Sequence, residues 1–253
     1  MSNNVITICL IIVSSFEPLY LACNEITRKQ CELYKIPVFF LFNGKLPQNY
    51  ILKNDERFLE HTNESQKPYM FLKFKNMLKE IYDNANPDFI LRCNSTTFIN
   101  FKRLFSLVTT CPKEKLIAGP FMYATGFKFL NLFCQGTNIF FSNDVAKRLA
   151  YDTNENNPKI FEHDDDAAID ILVRDYAQKY DLTFCTHRIE NCVSVPKFQD
   201  IIIKPNHIFF RVKNNVPNRT EIDYEIWKIL YHLFDVIHYH NNFETWGMWH
   251  PYI

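Results

Sequence analysis

VITICLIIVSS, residues 5 to 15, decides how the rest of the chain is read. Its apolar run, Val5 to Val13, is too short to span a bilayer, which takes about 20 apolar residues. No basic segment precedes it, and Ser14-Ser15-Phe16-Glu17-Pro18 follows without a clear cleavage site, so a signal peptide is the poorer reading. A short run rich in Ile and Val, apolar at consecutive positions, is the pattern of a strand buried on both faces.

Working outward, the same pattern returns. Glu17 to Tyr34 reads as a helix, and IPVFFLFNG (36–44) as a second buried strand closed by Asn43-Gly44. A polar stretch runs to about residue 66. PYMFLKFKNMLKEIYDNA (68–85) then carries Met70, Phe74, Met77, Leu78 and Ile81 near one helical face. PDFILRC (87–93), KLIAGP (115–120), GTNIFFSND (136–144), LTFCT (182–186) and NHIFFRVK (206–213) read as strands. Helices are expected at Asn100–Val108, at VAKRLAYD (145–152), at Ala167–Lys179 and at Glu221–Ile237. Strands alternating with helices from the N-terminus imply an α/β fold with a mostly parallel central sheet. Such sheets bind ligands beyond the carboxyl ends of their strands. The places to search are therefore Ser14-Ser15, Asn43-Gly44 and Arg92 to Thr96.

The 253 residues are 47% hydrophobic, enough for a full core. Lys and Arg number 28 and Asp and Glu 28, so no basic excess points to nucleic acid. Eight cysteines occur without a C-x-x-C pair, which argues against a structural zinc site. Most read as reduced, half-buried small hydrophobes in a cytosolic compartment. There the sequons at Asn63, Asn94 and Asn218 carry no meaning.

Two polar segments could hold chemistry. In FEHDDDAAIDILVRDY (161–176), Asp164, Asp165 and Asp166 stand directly before a helix. One carboxylate there caps the helix and complements its positive end. Three, with Glu162 and His163 beside them, repel one another unless a cation or a proton lies between. A carboxylate held near a helix start and facing a cleft can also act as a general base. Capping alone and catalysis both fit at this point. LRCNSTTFIN (91–100) ends a strand at Arg92-Cys93, and its plain structural reading is a turn with Ser95 or Thr96 as helix cap.

Taken together, these segments resemble the GT-A glycosyltransferases of the Fringe and β3-galactosyltransferase type, including relatives in large DNA viruses. ITRKQCELY (26–34) is similar to that family's R-x-x-W-like segment, with Arg28 at the basic position. PYMFLKFKNML supplies Lys73 for an L-x-L-K element. Asn94 to Asn100 stands where the family has D-D-D-x-F-x-N. QGTNIFFSNDVAKRL (135–149), with Gly136 and Ser142, is similar to G-x-x-Y-x-L-S. Asp165-Asp166-Ala167-Ala168-Ile169-Asp170 stands at E-D-V-x-x-G. The resemblance spans roughly residues 4 to 213. It implies a GT-A-like, Rossmann-like domain over residues 1–215, with residues 216–253 as a C-terminal helix and aromatic tail packed on it.

The resemblance also implies the chemistry: transfer of a sugar from a nucleotide-sugar, expected to be a UDP-sugar, to an acceptor hydroxyl of a glycan or glycoprotein with inversion. Asp166 takes the general base's place and Asp165 that of the preceding Glu. Arg92, Asn94, Ser95 and Thr96 are expected on the donor, and Gly136 and Asp164 on the acceptor. Arg28, Lys73, His207, Arg211 and Lys213 are donor-phosphate candidates. The last three come from HIFFRVK (207–213), where strand alternation puts them on one face. His187 is a rival for the family's late histidine. The C-terminal His232, His238, His240 and His250, with Trp246 and Trp249, read better as a packing tail than as metal ligands.

One departure stands out. The family's D-x-D carboxylates hold a divalent cation, which wants oxygen ligands, on the diphosphate. Asn94, Ser95 and Thr96 bind Mn²⁺ or Mg²⁺ poorly. Three outcomes follow: metal-independent transfer with Arg or Lys neutralising the diphosphate, metal recruited by the HDDD run, or a catalytically inactive glycan- or protein-binding module on the same fold. A metal-dependent hydrolase built on HDDD is a further class. No membrane span is expected, and a cytoplasmic setting follows, the host's for a viral protein.

Overall fold

The structure is a computed structural model, and it describes residues 6–43, 45–58, 69–122, 133–180, 183–186, 189–191, 201 and 203–236. In chain order the elements are β1 (Ile8–Ser15), α1 (Pro18–Tyr34), β2 (Val38–Asn43), β3 (Glu56–Phe58), α2 (Tyr69–Asn84), β4 (Phe89–Asn94), β5 (Thr97–Ile99), α3 (Phe101–Val108), β6 (Leu116–Gly119), β7 (Phe121–Met122), β8 (Phe133–Cys134), β9 (Asn138–Ser142), α4 (Asn143–Tyr151), α5 (Pro158–Glu162), α6 (Asp165–Tyr180), β10 (Thr183–Thr186), β11 (Ile189–Asn191), β12 (Phe209–Arg211) and α7 (Arg219–Tyr231). A π-helical turn, His232–Val236, follows α7.

Seven strands form the central sheet in the order β10-β6-β9-β4-β1-β2-β3. β1 pairs in parallel with β2 and β4, β2 with β3, and β6 with β10. β9 alone in this sheet runs the other way, antiparallel to β4 and β6. The fold is therefore α/β with a mostly parallel central sheet between helices, as the alternating pattern predicts.

β1 shows why the opening run lacks polar alternation. Cys9 and Ile11 face a core shared with Phe74, Leu78 and Ile81 of α2, Leu149 of α4 and Ile169 of α6. Ile8, Leu10 and Ile12 face the opposite core, with Cys31 of α1 and Phe101 and Leu104 of α3. Each such buried aliphatic side chain contributes about 1.5–3 kcal/mol. A third cluster joins Leu19, Cys23 and Ile26 of α1 to Phe98, Phe210, Val212 and Trp227, so α7 shares a core with the front of the chain.

Four details differ from expectation. The polar stretch after β2 holds a short edge strand, β3. Ser95 and Thr96 do not cap a helix. They turn the chain from β4 into β5, and Asn100 caps α3 by accepting the Arg103 amide at 3.2 Å. HIFFRVK is strand only at Phe209–Arg211, where β12 pairs with β5 and β11 in a separate small sheet. Cys9, Cys23, Cys31, Cys93, Cys111 and Cys134 are free and buried rather than half-buried. Among the described residues no helix is long and apolar enough to cross a membrane.

Candidate active site

Parallel strands end on one edge, and the register shows what meets there. Val13 of β1 stands opposite Asn94 of β4, and Ser15 opposite Asn43 of β2. Because β9 is antiparallel, it starts at this edge, with Asn138 opposite Cys93. The Gly136-Thr137 turn before β9 therefore lies beside the β4–β5 turn. Three bonds tie the two turns and β1 together. The Asn94 amide donates to Thr137 O at 3.2 Å, the Thr97 hydroxyl to the same carbonyl at 3.0 Å, and the Ser95 amide to Val13 O at 3.0 Å.

The start of α6 closes onto this edge. Arg92, buried on β4, donates to Gly136 O and forms an ion pair with Asp165. Asp166 accepts the Gly136 amide at 2.9 Å with one oxygen and the Ala167 amide at 2.8 Å with the other. Gly136 is required for space here: a Cβ would lie 2.8 Å from Arg92 Nη1 and 2.9 Å from Asp166 Cβ. Asp164 is exposed, and its carbonyl accepts the first helical amide, from Ala168, at 2.8 Å. The crowding of carboxylates is thus relieved by a buried guanidinium. Burial still pushes the Asp165 carboxyl above its ordinary value; Arg92 opposes this and the Asp166 charge adds to it.

Basic groups approach from β12. Val212, buried in the third core cluster, donates its amide to Thr96 O at 2.8 Å. Its neighbours Arg211 and Lys213 are half-buried. Burial lowers the Arg211 guanidinium below its ordinary value, and the Asp166 charge partly offsets this. Arg211 Nε is buried without a hydrogen-bond partner.

The structure thus brings together Arg92, Asn94, Ser95, Thr96, Gly136, Asp165, Asp166 and Arg211. It places three other candidates differently. Arg28 is the hub of an ion-pair network with Glu25, Asp55 at 2.7 Å and the fully buried Glu56, and it stacks 4.4 Å from the Phe40 ring centroid. Lys73 is buried, donates to Phe42 O at 3.3 Å and lies 5.5 Å from the Phe58 ring centroid. His207 does not share a strand face with Arg211 and Lys213. It sits buried in the turn before β12, its Nδ1 accepts the Lys204 amide at 3.3 Å, and its ring stands edge-on to Phe210. His187, His238, His240, His250, Trp246 and Trp249 lie outside the described residues; His232 opens the π-helical turn.

Sequence reasoning passed over two carboxylates that shape the region. Asp170, one turn beyond Asp166, is buried, accepts the Cys134 amide at 3.3 Å and pairs with Arg174 at 2.6 Å. Asp223 of α7, also buried, binds Asn214 Nδ2 at 2.7 Å and Arg219 at 2.9 Å. The only sequence signal for the Arg219–Asp223 pair is its i,i+4 spacing.

The family resemblance implies a divalent cation at residues 94–96, and the donor set does not fit one. Asn94 Oδ1 faces Arg92 Nη1 at 3.5 Å, and Ser95 Oγ donates to Val13 O at 3.1 Å. The Asp165 carboxylate is already paired with a guanidinium. Among the described residues no three His, Cys, Asp or Glu side chains form a metal-holding group.

No protein-family model matches the chain, and no curated protein matches it in sequence. Among solved structures, it is similar to a glycosyltransferase involved in glycosylation of the major capsid of PBCV-1. The two are 12% identical over 87% of this chain and 99% of that one, with a TM-score of 0.49. It is also similar to the galactosyltransferase LgtC, solved with donor and acceptor sugar analogues, at 9% identity over 89% and 96% and a TM-score of 0.49. A third likeness is the catalytic domain of Drosophila β1,4-galactosyltransferase 7, at 12% identity over 87% and 79% and a TM-score of 0.42.

Proposed function

We propose that the protein is a glycosyltransferase that moves a sugar from a nucleotide-sugar, a UDP-sugar by the resemblance, to an acceptor hydroxyl with inversion. The observation that carries this reading is the seating of Asp166. Two backbone amides fix its carboxylate at the carboxyl edge of the sheet, next to the β4–β5 turn and within the field of Arg211. A carboxylate oxygen has two lone pairs, so each oxygen of Asp166 can still accept a hydrogen bond from an incoming hydroxyl.

In this reaction the acceptor oxygen forms the new bond to the anomeric carbon and its proton passes to Asp166. The bond from that carbon to the diphosphate breaks, and the diphosphate leaves with the electron pair. Arg92 holds Asp165 and the Gly136 carbonyl, and so fixes the turn whose amide orients Asp166. Asn94, Ser95 and Thr96 line the donor side, with Gly136 and Asp164 toward the acceptor. The acceptor is a glycan or glycoprotein hydroxyl, and the setting is the cytoplasm.

The test is a transfer assay across nucleotide-sugars with Asp166→Asn. Turnover at the wild-type rate with the fold intact removes Asp166 as base. A glycan-binding module on the same fold is the second reading. It is favoured by the Asn94 amide and Ser95 hydroxyl, which are engaged in internal bonds. Glycan binding by a chain that transfers no sugar from any donor would establish it.

A further inference from the structure

The carboxylate-poor metal position has a cation-rich neighbour, and part of it comes from residues outside the motifs. Arg219, at the start of α7, donates its Nε to Asp223 at 2.9 Å and its Nη2 to the Tyr20 hydroxyl at 3.3 Å, with Cζ 5.7 Å from the Tyr20 ring centroid. Asp223 also accepts the Asn214 amide at 3.1 Å and its side chain at 2.7 Å. One buried carboxylate therefore pins both Arg219 and the residue after Lys213. Tyr20 belongs to the first turn of α1, directly beyond the carboxyl end of β1.

Arg211, Lys213 and Arg219 are thus gathered where β1 ends. Among the described residues, neither the Arg211 nor the Lys213 side chain makes a hydrogen bond or closes an ion pair. Their mutual field is visible in Lys213: burial lowers its ammonium below the ordinary value, Arg211 and Arg219 lower it further, and the exposed Glu17 only offsets this. Like charges gathered this way are costly unless an anion joins them. The start of α1 adds to the positive field, since its cap residue, Glu17, makes no side-chain cap bond.

We propose that Arg211, Lys213, Arg219 and the Tyr20 hydroxyl form a diphosphate site that works without a divalent cation. The proposal deepens the transferase reading, because the diphosphate is that of the nucleotide-sugar. Arg219 and Tyr20 are its new members. A guanidinium offers paired donors to phosphate oxygens, and a lysine offers a point charge, so the set can hold two adjacent phosphates.

The experiment is calorimetric titration of the full chain with inorganic pyrophosphate and with UDP, each in EDTA and in Mn²⁺. Both ligands are expected to bind in EDTA. Lys213→Gln, which removes a partly exposed side chain without a partner, is expected to weaken both at least tenfold. Lys147→Gln, an exposed lysine on α4, is expected to change neither. Arg219→Lys is a second probe, and a melting curve shows whether it folds. Binding that occurs only with Mn²⁺, or full affinity in Lys213→Gln, overturns the proposal. The two readings fail separately. Pyrophosphate binding that Lys213→Gln removes, in a protein that transfers no sugar, keeps the site and sinks the transferase. Transfer that needs Mn²⁺ and ignores Lys213 does the reverse.

Discussion

Arg28 and Arg211 are both arginines beside acidic groups, and both were candidates for the same phosphate. Their surroundings separate them. Arg28 meets three carboxylates and an aromatic face, so each of its three nitrogens donates and its charge is used inside the fold. Arg211 has the field of one carboxylate and a buried Nε with no acceptor. A saturated guanidinium holds structure together, whereas an unsaturated one at a strand end has capacity left for a ligand.

The largest effect should come from the acid that faces Arg211. Asp166→Asn is expected to lower transfer about 10²–10⁴-fold, read by steady-state kinetics, and to cost about 1–3 kcal/mol of stability, because asparagine keeps only one of the two oxygens that accept the Gly136 and Ala167 amides. Arg28→Met should behave in the opposite way. Removing it strands the fully buried Glu56 and should cost about 3–5 kcal/mol in urea unfolding, while donor affinity of the surviving folded protein stays the same. An Arg28 variant that keeps its stability and loses donor affinity would erase the contrast between the two arginines.

Gly136→Ala tests the ground between them. The added methyl meets Arg92 and Asp166, so about 1–3 kcal/mol of stability and part of the turnover should go together. A variant with normal kcat would show that Asp166 is not held by this turn.

The effect that is smallest per group concerns pH. Burial pushes the Cys9 thiol up to about 12, and those of Cys23, Cys31, Cys93 and Cys134 also lie above the ordinary value. Above about pH 8.5 the unfolded chain releases these protons while the folded chain keeps them. The unfolded state then binds fewer protons, so stability must fall as pH rises, by up to about 1.4 kcal/mol per unit for each thiol. Urea titrations between pH 7.5 and 9.5 measure the slope; a flat profile would mean that the thiols are not buried as described.

Much of the fold is readable from runs such as VITICLIIVSS and PDFILRC, because strands buried on both faces leave a local signature. The three-residue strands β3 and β5 leave none, and β12 is read at its place but too long, because such short strands are set by pairing partners. The site divides the same way. Asp165 and Asp166 stand out because three acids in a row need an explanation, and Arg92 follows from lying at a strand end. The role of Arg28 depends on Asp55 and Glu56, which sit in a stretch that reads only as polar. Arg219 and Tyr20 are 199 residues apart, and nothing short of the folded chain joins them. His207 looked like a strand residue because alternation was extended past the end of a short strand.

β12 pairs with β5 across more than a hundred residues, with Phe210 opposite Phe98 and Arg211 opposite Thr97. On the ribosome, the carboxylates, Arg92 and the Gly136 turn are all made well before Arg211. A nascent chain can assemble the acidic half of the site early, while the basic half waits for the last quarter of synthesis. Any premature stop before residue 211 leaves Arg92 paired with Asp165 and Asp166 without the field of Arg211.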